Sequence, residues 1–330
     1  MKALILAGGL GTRLRPLTHT RPKHLLPIAN VPHIEHVLDL LQRTGVSEVG
    51  LLTSYLASSF AGVVDRERHR GLNLRVAHEE EPLGTAGALR NAASLVAGET
   101  FFAFNGDILT NADLSALLAF HRERAAEATI MLRPVEDPSA FGVVPTDESG
   151  RVLGFIEKPP PEAAPTNMIN AGVYVFESSV LDRIPVGRVW SAERELFPGL
   201  VEEGARLYAW ATDSYWMDIG TPESFLRANL DALDGRYKSN SIGPPDSRRV
   251  LAASRVRVAE SARVSSACLG EGCVVEANAR VEESVLLPGA VVSESAIVRE
   301  SILGEGARIA AGARMNGATV GDGEKVEKED

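Results

Sequence analysis

The chain has 330 residues, a formal net charge of −10 and 45% hydrophobic residues, enough for one large domain with a sizeable core and a smaller second domain. The acidic balance argues against binding of nucleic acid, which normally requires a broad basic face. The apolar segment before the first glycines is too short for a signal-peptide core and no stretch approaches membrane-spanning length, so we expect a globular cytoplasmic protein without a membrane partner.

The first predicted element is a short buried strand, Leu4–Leu6, that runs into a glycine-rich turn. Gly8, Gly9 and Gly11 let successive backbone N–H groups converge on one anion, for which phosphate is the obvious candidate. A glycine cluster can also simply end a strand, but the basic residues that precede the first acidic residue favour an anion; they are Lys2, Arg13, Arg15, Arg21 and Lys23. Neither a dinucleotide fingerprint nor a Walker A loop fits, because Leu14 replaces the third glycine and no Gly-Lys-Ser/Thr follows.

Predicted strands and helices then alternate to about residue 126. In chain order they are a helix at 33–44, a strand at 47–53, a helix at 56–68, a strand at 72–77, a helix at 85–96, a strand at 100–104 and a helix at 114–126. This alternation predicts an α/β fold, a doubly wound Rossmann-like sheet with ligands beyond the carboxyl ends of its strands. The strand-rich segment from Phe141 onward predicts a mixed sheet edge that forms a second wall of the site.

A polar segment rich in serine, glycine and proline, residues 236–250, predicts a linker between two domains. The first domain then covers residues 1–235, and the second covers residues 251–323. Residues 324–330 are mostly charged and predict a frayed tail.

The second domain is repetitive. One apolar column recurs every 17 residues, at Leu269, Leu286, Leu303 and Val320. Coils of 17 residues with three short sides predict a β-helix, and their likeness to hexapeptide repeats implies a left-handed winding. Cys268 and Cys273 provide no ligand set for zinc, and we expect them to be small core residues rather than a disulfide.

Two acidic residues follow apolar segments and are candidates for chemistry. Asp107 comes after the predicted strand at 100–104, and Asp218 lies in YWMDIGT. Two converging carboxylates with phosphates would form a natural Mg²⁺ site. A solvated loop position for Asp107, and a turn or helix N-terminal role for Asp218 near Pro222, fit the residues equally well.

Several segments taken together resemble the sugar-1-phosphate nucleotidylyltransferase family. They are GGLGTRLRPLT with Pro22-Lys23, EPLGTAGAL, FNGDILT, FGVV, FIEKP, INAGVYVF and YWMDIGTPE. Their order and spacing match over residues 1–235, and the later repeats resemble the β-helix tail of many members. EPLGTAG, NGDILT, WSAERELFP and SYWMDIGTPE look most like mannose-1-phosphate guanylyltransferases, although His24 stands where that subfamily commonly has proline. Long-form glucose-1-phosphate thymidylyltransferases share THTRPK-like text and form the alternative.

The resemblance implies attack of a sugar 1-phosphate oxygen on the α-phosphorus of a nucleoside triphosphate, with release of pyrophosphate and with Mg²⁺ as cofactor. A phosphate monoester has its second pKa at about 6, so the nucleophile arrives ionised and no general base is needed. Neutralising and aligning two anions would be the main task.

The resemblance also implies roles for individual residues. The catalytic residues would be Arg13 at the leaving pyrophosphate, Lys23 at the α-phosphate, and Asp107 and Asp218 as the Mg²⁺ ligands. The nucleotide would be bound by Leu6, Ala7, Gly8, Gly9, Gly11, Thr12, Arg13, Lys23, Glu81, Pro82, Gly84, Thr85, Asn105 and Gly106. The sugar phosphate would be bound by Lys158 and by a pocket shaped by Gly142, Glu157, Asn170 and Gly172. Without the motif, Glu157 and Lys158 would be a surface ion pair.

Glu81 is the predicted reader of the base. An ionised carboxylate accepts hydrogen bonds only, so it matches the N1–H and N2 amine of guanine better than thymine, uracil or adenine. The alternative is that Glu81 belongs to a solvated run with Glu79 and Glu80.

Two other classes of protein remain as rivals. A β-helix of this kind often belongs to an acyltransferase with a histidine base, but no histidine follows His121. A regulatory paralogue that only binds a nucleotide sugar is the second rival, and the joint presence of Arg13, Lys23, Asp107, Lys158 and Asp218 argues against it. We expect a structural, regulatory or oligomerising role for the repeats, and a homo-oligomer.

Overall fold

The computed structural model describes residues 1–54 and 56–328, which form two compact units. The sheet unit comprises Met1–Gly9 and Leu40–Trp216, and the solenoid unit comprises Leu10–Asp39 and Met217–Asp330. The basic segment after Gly9 therefore belongs to the same unit as the C-terminal repeats. The linear division at residues 235 and 250 stays a prediction.

The elements of the first two thirds of the chain follow in order. The helices are α1 (His33–Arg43), α2 (Ala61–His69), α3 (Gly84–Asn91), α4 (Ala93–Val96), α5 (Leu114–Glu123), α6 (Phe197–Glu202) and α7 (Pro222–Leu233). The strands are β1 (Lys2–Leu6), β2 (Pro27–Ile28), β3 (Val31–Pro32), β4 (Glu48–Thr53), β5 (Asn73–His78), β6 (Thr100–Asn105), β7 (Ile108–Thr110), β8 (Ala128–Pro134), β9 (Gly142–Val143), β10 (Ile156–Glu157), β11 (Met168–Glu177), β12 (Leu207–Ala211) and β13 (Trp216–Asp218).

The sheet unit is built on one mixed sheet with the strand order β10-β9-β11-β6-β1-β4-β5, and β8 joins β11 to β12. Strands β6, β1, β4 and β5 run parallel, whereas β11 runs antiparallel to both β6 and β8. The central strands are apolar because both faces are buried: Leu4 lies in one core cluster with residues of α3 and α6, and Ile5, which points to the opposite face, is also fully buried. The predicted Rossmann-like fold with a mixed edge is confirmed.

Two predicted helices differ in detail from the structure. The helix predicted at 56–68 begins instead as a 3₁₀ turn, Ala57–Phe60, and continues as α2. The helix predicted at 85–96 is interrupted at Ala92, so that α3 and α4 are separate. No helix among the described residues is both long and apolar enough to cross a membrane.

The repeats form parallel strands in sheets consistent with a β-helix. Their strands are β14 (Val250–Ala252), β15 (Arg257–Val258), β16 (Arg263–Leu269), β17 (Val274–Val275), β18 (Arg280–Leu286), β19 (Val291–Val292), β20 (Ile297–Arg299), β21 (Ile302–Leu303), β22 (Arg308–Ile309), β23 (Arg314–Asn316), β24 (Thr319–Val320) and β25 (Lys325–Val326). Paired residues lie 17 positions apart, as between Leu269 and Leu286. Each coil therefore places the same apolar column in the core.

Two sequence expectations concern the ends and the cysteines of this repeat. Strand β25 pairs with β22, so parallel pairing continues to Val326, inside the segment predicted as a charged tail; the last two residues, 329 and 330, lie outside the described residues.

Cys268 and Cys273 are buried and unpaired, which confirms them as core residues. Burial raises the pKa of Cys268 to about 12 and that of Cys273 to about 11, so both thiols stay protonated near neutral pH.

Candidate functional site

The parallel strands of the sheet unit end at one edge, and each carries a candidate residue there. The glycine turn follows β1, Ser54 follows β4, Glu79 follows β5, and Asn105 ends β6. Backbone hydrogen bonds connect neighbouring strands at this edge. One of them runs from the Gly106 N–H to the Leu6 carbonyl, at 2.9 Å. In sheets of this class, ligands bind beyond these carboxyl ends.

The glycine turn is held against the neighbouring strand. Ser54 Oγ donates to the Gly8 carbonyl at 2.9 Å, and a Cβ on Gly8 would lie 3.1 Å from that oxygen. The Ala7 N–H continues the sheet by donating to the Leu52 carbonyl at 2.7 Å. The backbone at Gly8 is therefore close-packed and free of side chain, as an anion-binding turn requires.

A buried carboxylate lies beside this turn, and it belongs to Glu79. Only 6% of Glu79 is exposed, and its Oε2 atom is 3.9 Å from the position of a Cβ on Gly8. Among the described residues its Oε1 atom has no hydrogen-bond partner. Burial raises the pKa of this carboxyl, and a hydrogen bond donated by the Leu83 backbone opposes the rise.

The three consecutive glutamates therefore differ in environment. Glu80 and Glu81 are exposed, as is Pro82, whereas Glu79 is buried. The sequence alone indicates only that Glu79 belongs to a run of charged residues. The signal that finds it is its position directly after β5, at the same edge of the sheet as Asn105.

The predicted nucleotide-binding residues Gly84 and Thr85 pack against the loop before α6. Gly84 has φ of +74°, and a Cβ there would lie 2.7 Å from the Trp190 carbonyl oxygen. Thr85 Oγ1 donates to Glu193 Oε2 at 2.8 Å and accepts from the Ala192 N–H at 2.7 Å. These contacts fix the start of α3, and Glu193 is a polar residue of the region that sequence analysis did not single out.

Gly142, Glu157 and Lys158 meet where β9 pairs with β10. Glu157 lies opposite Gly142, where a Cβ would be 2.6 Å from Phe155 Cζ and 3.0 Å from Glu157 Oε2. Lys158 Nζ is 3.7 Å from Glu157 Oε1, and its side chain is 62% exposed against 23% for Glu157. Burial, followed by the charge of Glu193, raises the pKa of Glu157. The lysine can therefore reach a solvated anion while Glu157 stays partly enclosed.

Asn170 and Gly172 shape a bulge in β11. The register of β11 against β8 shifts between Asn170 and Tyr174, and Gly172 has φ of +70° there. A Cβ on Gly172 would lie 2.8 Å from Asn105 Nδ2, so only glycine allows this close approach. Asn170 donates to the Tyr174 hydroxyl at 2.8 Å and accepts from the Gly172 N–H at 3.0 Å.

In the solenoid unit, the basic segment runs from Leu10 to Lys23. Gly11 lies at its start and has a φ of +62°. Thr18 Oγ1 donates to the Gly11 carbonyl at 2.8 Å, and Lys23 Cβ lies 3.3 Å from the position of a Cβ on Gly11. Thr12 starts a 3₁₀ turn that carries Arg13, and Lys23 starts another. The structure thus brings both ends of the basic segment together around Gly11.

Arg13 and Asp218 approach each other over Gly220. Arg13 Nη2 is 3.9 Å from Asp218 Oδ2, and a Cβ on Gly220 would lie 2.6 Å from the same nitrogen. Asp218 Oδ1 accepts from the Gly220 N–H at 2.7 Å, and the side chain of Asp218 is 27% exposed. Thr221, not Asp218, caps helix α7. Asp218 Oδ1 therefore stabilises the turn at Gly220, while Asp218 Oδ2 faces the guanidinium group of Arg13.

Comparison with known families decides which class these features belong to. A family model described as Nucleotidyl transferase matches residues 2–235, and one described as GMPPB C-terminal domain matches residues 247–330. The chain belongs to the nucleotidyl transferase family.

Relatives in other organisms and a solved structure are similar to this chain in sequence and fold. A mannose-1-phosphate guanylyltransferase of Mycobacterium tuberculosis is 46% identical to this nucleotidyl transferase. The match covers 73% of this chain and 67% of the relative. A mannose-1-phosphate guanyltransferase beta-A of Xenopus laevis is 42% identical over 68% of this chain but only 63% of its own length. The solved structure of HddC from Yersinia pseudotuberculosis complexed with GMP-PN is 27% identical with a TM-score of 0.60, covering 70% of this chain and 99% of that one.

Nucleotidyl transferases of this family generally use a divalent metal ion. Within residues 1–54 and 56–328, no group of three or more His, Cys, Asp or Glu side chains is placed to hold one. Asp107, in the turn between β6 and β7, is half-buried, and Asp218 is also partly exposed. Carboxylate oxygens are the ligands that Mg²⁺ prefers, and it commonly takes one or two of them together with substrate phosphates, so the donor chemistry fits.

Proposed function

We propose that this nucleotidyl transferase joins GTP and mannose 1-phosphate into a GDP-sugar with release of pyrophosphate. The supporting observation is the sheet edge at which a close-packed glycine turn adjoins the buried carboxylate of Glu79. The glycine turn suits the phosphates of a nucleotide. The carboxylate, which only accepts hydrogen bonds when ionised, suits a base such as guanine that donates two. The names of the relatives point to the same substrate pair.

The proposed reaction depends on positioning and charge. The sugar 1-phosphate is the nucleophile and is already ionised, since its second pKa is about 6, so its oxygen can attack the α-phosphorus without a protein base. Arg13 neutralises the leaving pyrophosphate, Lys23 binds near the α-phosphate, and the turn of Gly9, Gly11 and Thr12 holds the triphosphate. Lys158 binds the phosphate of the sugar.

Mg²⁺ is the proposed metal, with Asp107 and Asp218 as its protein ligands. When bound, it would offset charge on the phosphate oxygens as the bond to the leaving group breaks. The sugar itself is proposed to lie against Gly142, Glu157, Asn170 and Gly172. The bulge at Gly172 supports this, because it brings the backbone of Gly172 against Asn105 at the end of β6 and holds the side chain of Asn170 beside it.

We propose Glu79 as the base reader, and Glu81, which the sequence predicts for this role, stays the alternative. Glu79→Gln keeps the shape but puts an amide donor where guanine also donates, so kcat/KM for GTP should fall by about one to two orders of magnitude. The loss for dTTP should be smaller. The matched control is Glu81→Gln, which removes the same charge from an exposed position two residues away and should leave both substrates unaffected.

The pH profile gives a second readout of the same residue. Glu79 accepts two hydrogen bonds only when ionised, and its raised pKa makes it lose that charge at a higher pH than an ordinary glutamate. KM for GTP should therefore rise as pH falls, and Glu79→Gln should abolish this dependence. Equal losses for GTP and dTTP in Glu79→Gln, or a GTP-specific loss confined to Glu81→Gln, would contradict the assignment.

A panel of substrates tests the function as a whole. Pyrophosphate release would be measured with GTP, dTTP, UTP and ATP, each against mannose 1-phosphate and glucose 1-phosphate. The expected optimum is GTP with mannose 1-phosphate; an optimum with dTTP and glucose 1-phosphate would make the protein a thymidylyltransferase. A cytoplasmic location and a homo-oligomer also stay proposals, and light scattering tests the second.

A further inference from the structure

The last coils of the solenoid unit bind the basic segment through Arg21. Arg21 Nη2 donates to Glu305 Oε2 and to Asp322 Oδ2, both at 2.7 Å. Asp322 Oδ2 also accepts from the Thr20 hydroxyl, and its Oδ1 accepts from the Glu305 N–H at 2.7 Å. Glu305 and Asp322 are 17 residues apart and occupy one column of two successive coils. We call this set of four residues the solenoid latch.

The Arg21–Asp322 pair is the shielded part of the latch, whereas the side chain of Glu305 is 53% exposed. The side chains of Arg21 and Asp322 are 19% and 16% exposed. Arg255 and Glu271, an ion pair in the same unit, are 78% and 49% exposed. Exposed pairs contribute little, whereas a shielded, multiply hydrogen-bonded pair is stronger and more costly to break.

The titration of the latch agrees with this geometry. Burial alone would raise the pKa of Asp322, but hydrogen bonds from Thr20, the Glu305 N–H and Arg21 hold it below its ordinary value. Burial would likewise lower the pKa of Arg21, and its two carboxylate partners raise it instead. Both groups therefore stay charged near neutral pH.

The latch lies next to the groups proposed to bind phosphate. Pro22 alone separates Arg21 from Lys23, and its ring fixes φ at −60° just before the 3₁₀ turn that Lys23 begins. Lys23 Cβ and Thr18 both approach Gly11, and Thr18 bonds to the Gly11 carbonyl. A restraint on Arg21 therefore restrains the backbone of Lys23 and, through Thr18, the Gly11 turn.

We infer that Arg21 is a positioning residue, which Glu305 and Asp322 hold so that Lys23 and the Gly11 turn are set for the triphosphate. This assigns to the end of the repeat a part in nucleotide binding. It rests on the proposed function for its kinetic consequence but not for the restraint itself.

The test uses the full-length protein with Arg21→Met, Arg21→Lys, Asp322→Asn and the double variant Arg21→Met/Asp322→Asn. Asn keeps an oxygen for the Glu305 N–H, so the coil should stay intact. Glu271→Gln is the matched control, because it stands in the same column two coils before Glu305 and its partners are exposed. Initial rates would be measured against GTP, and amide hydrogen exchange would be followed over residues 11–25 without substrate.

Arg21→Met and Asp322→Asn should each raise KM for GTP about tenfold with a smaller change in kcat, the size expected for one charge-assisted hydrogen bond. The double variant should be about as impaired as the poorer single variant, since both substitutions break the Arg21–Asp322 ion pair. Arg21→Lys should recover part of the loss. Exchange over residues 11–25 should speed up in the latch variants and not in Glu271→Gln.

Two outcomes overturn the inference. Unchanged exchange over residues 11–25 in both Arg21→Met and Asp322→Asn would show that the latch does not restrain the segment. Faster exchange with unchanged KM for GTP would show that the restraint does not serve nucleotide binding. If the wild-type protein transferred no nucleotide at all, the exchange result would still stand, so failure of the proposed function is distinguished from failure of the latch.

Discussion

Asp218→Asn is expected to lower kcat by about three orders of magnitude, the upper range for loss of one group that stabilises charge in a transition state. The substitution removes a charged metal ligand and also the carboxylate that faces Arg13 at 3.9 Å. The fold should persist, because Asn Oδ1 can still accept from the Gly220 N–H, as Asp218 Oδ1 does. Turnover would be measured across a Mg²⁺ titration, with the melting temperature as the check on folding.

Asp213→Asn is the matched control, since it removes the same charge from an exposed position five residues earlier. Asp107→Asn should behave like Asp218→Asn, and Asp113→Asn is its control because asparagine also caps a helix well. Rates within a few-fold of wild type in either Asp107→Asn or Asp218→Asn would remove that residue from the metal site.

Arg13→Met is expected to reduce kcat about a hundredfold with a smaller change in KM for the sugar phosphate, because the guanidinium offsets charge that develops on the leaving pyrophosphate. Its side chain is 65% exposed and its ion pair with Asp218 is long at 3.9 Å, so little folding stability depends on it. Arg13→Lys should restore part of the rate, since it keeps the charge but not the planar fork. Single-turnover experiments would separate the chemical step from product release.

Arg15→Met is the matched control, two residues away on the same turn and also exposed. A loss in Arg15→Met equal to that in Arg13→Met would show that the basic segment acts only through its total charge. A rise in KM with an unchanged kcat in Arg13→Met would place Arg13 in ground-state binding.

Much of the fold could be predicted because its patterns are strongly periodic. The apolar run of β1 and the 17-residue columns ending at Val320 each specify a buried element with few alternatives. The family resemblance groups Gly142 and Glu157 with Asn170 and Gly172. The structure pairs Gly142 with Glu157 across β9 and β10, and it joins Asn170 to Gly172 by a hydrogen bond. The break between α3 and α4 could not be predicted, because Ala92 is a good helix former and gives no signal that ends a helix.

What could not be predicted depends on where elements end and on contacts between distant residues. Glu79 and Glu81 are chemically identical, and only the end of β5 at His78 decides that Glu79 is the buried one. Arg21 and Asp322 are 301 residues apart, and no local pattern pairs them. The sequence pattern therefore predicts the repeats as a separate domain, although Leu10–Asp39 forms a compact unit with them.

The most direct measurement of the central claim follows the label of GTP into products with mannose 1-phosphate and Mg²⁺ present. With the label on the α-phosphorus, it should appear in a GDP-sugar; with the label on the γ-phosphorus, all of it should appear in pyrophosphate. Transfer of the γ-label to the sugar would make the protein a kinase. Binding of GTP without movement of either label would make it a regulatory nucleotide-binding protein, and either result would contradict nucleotidyl transfer.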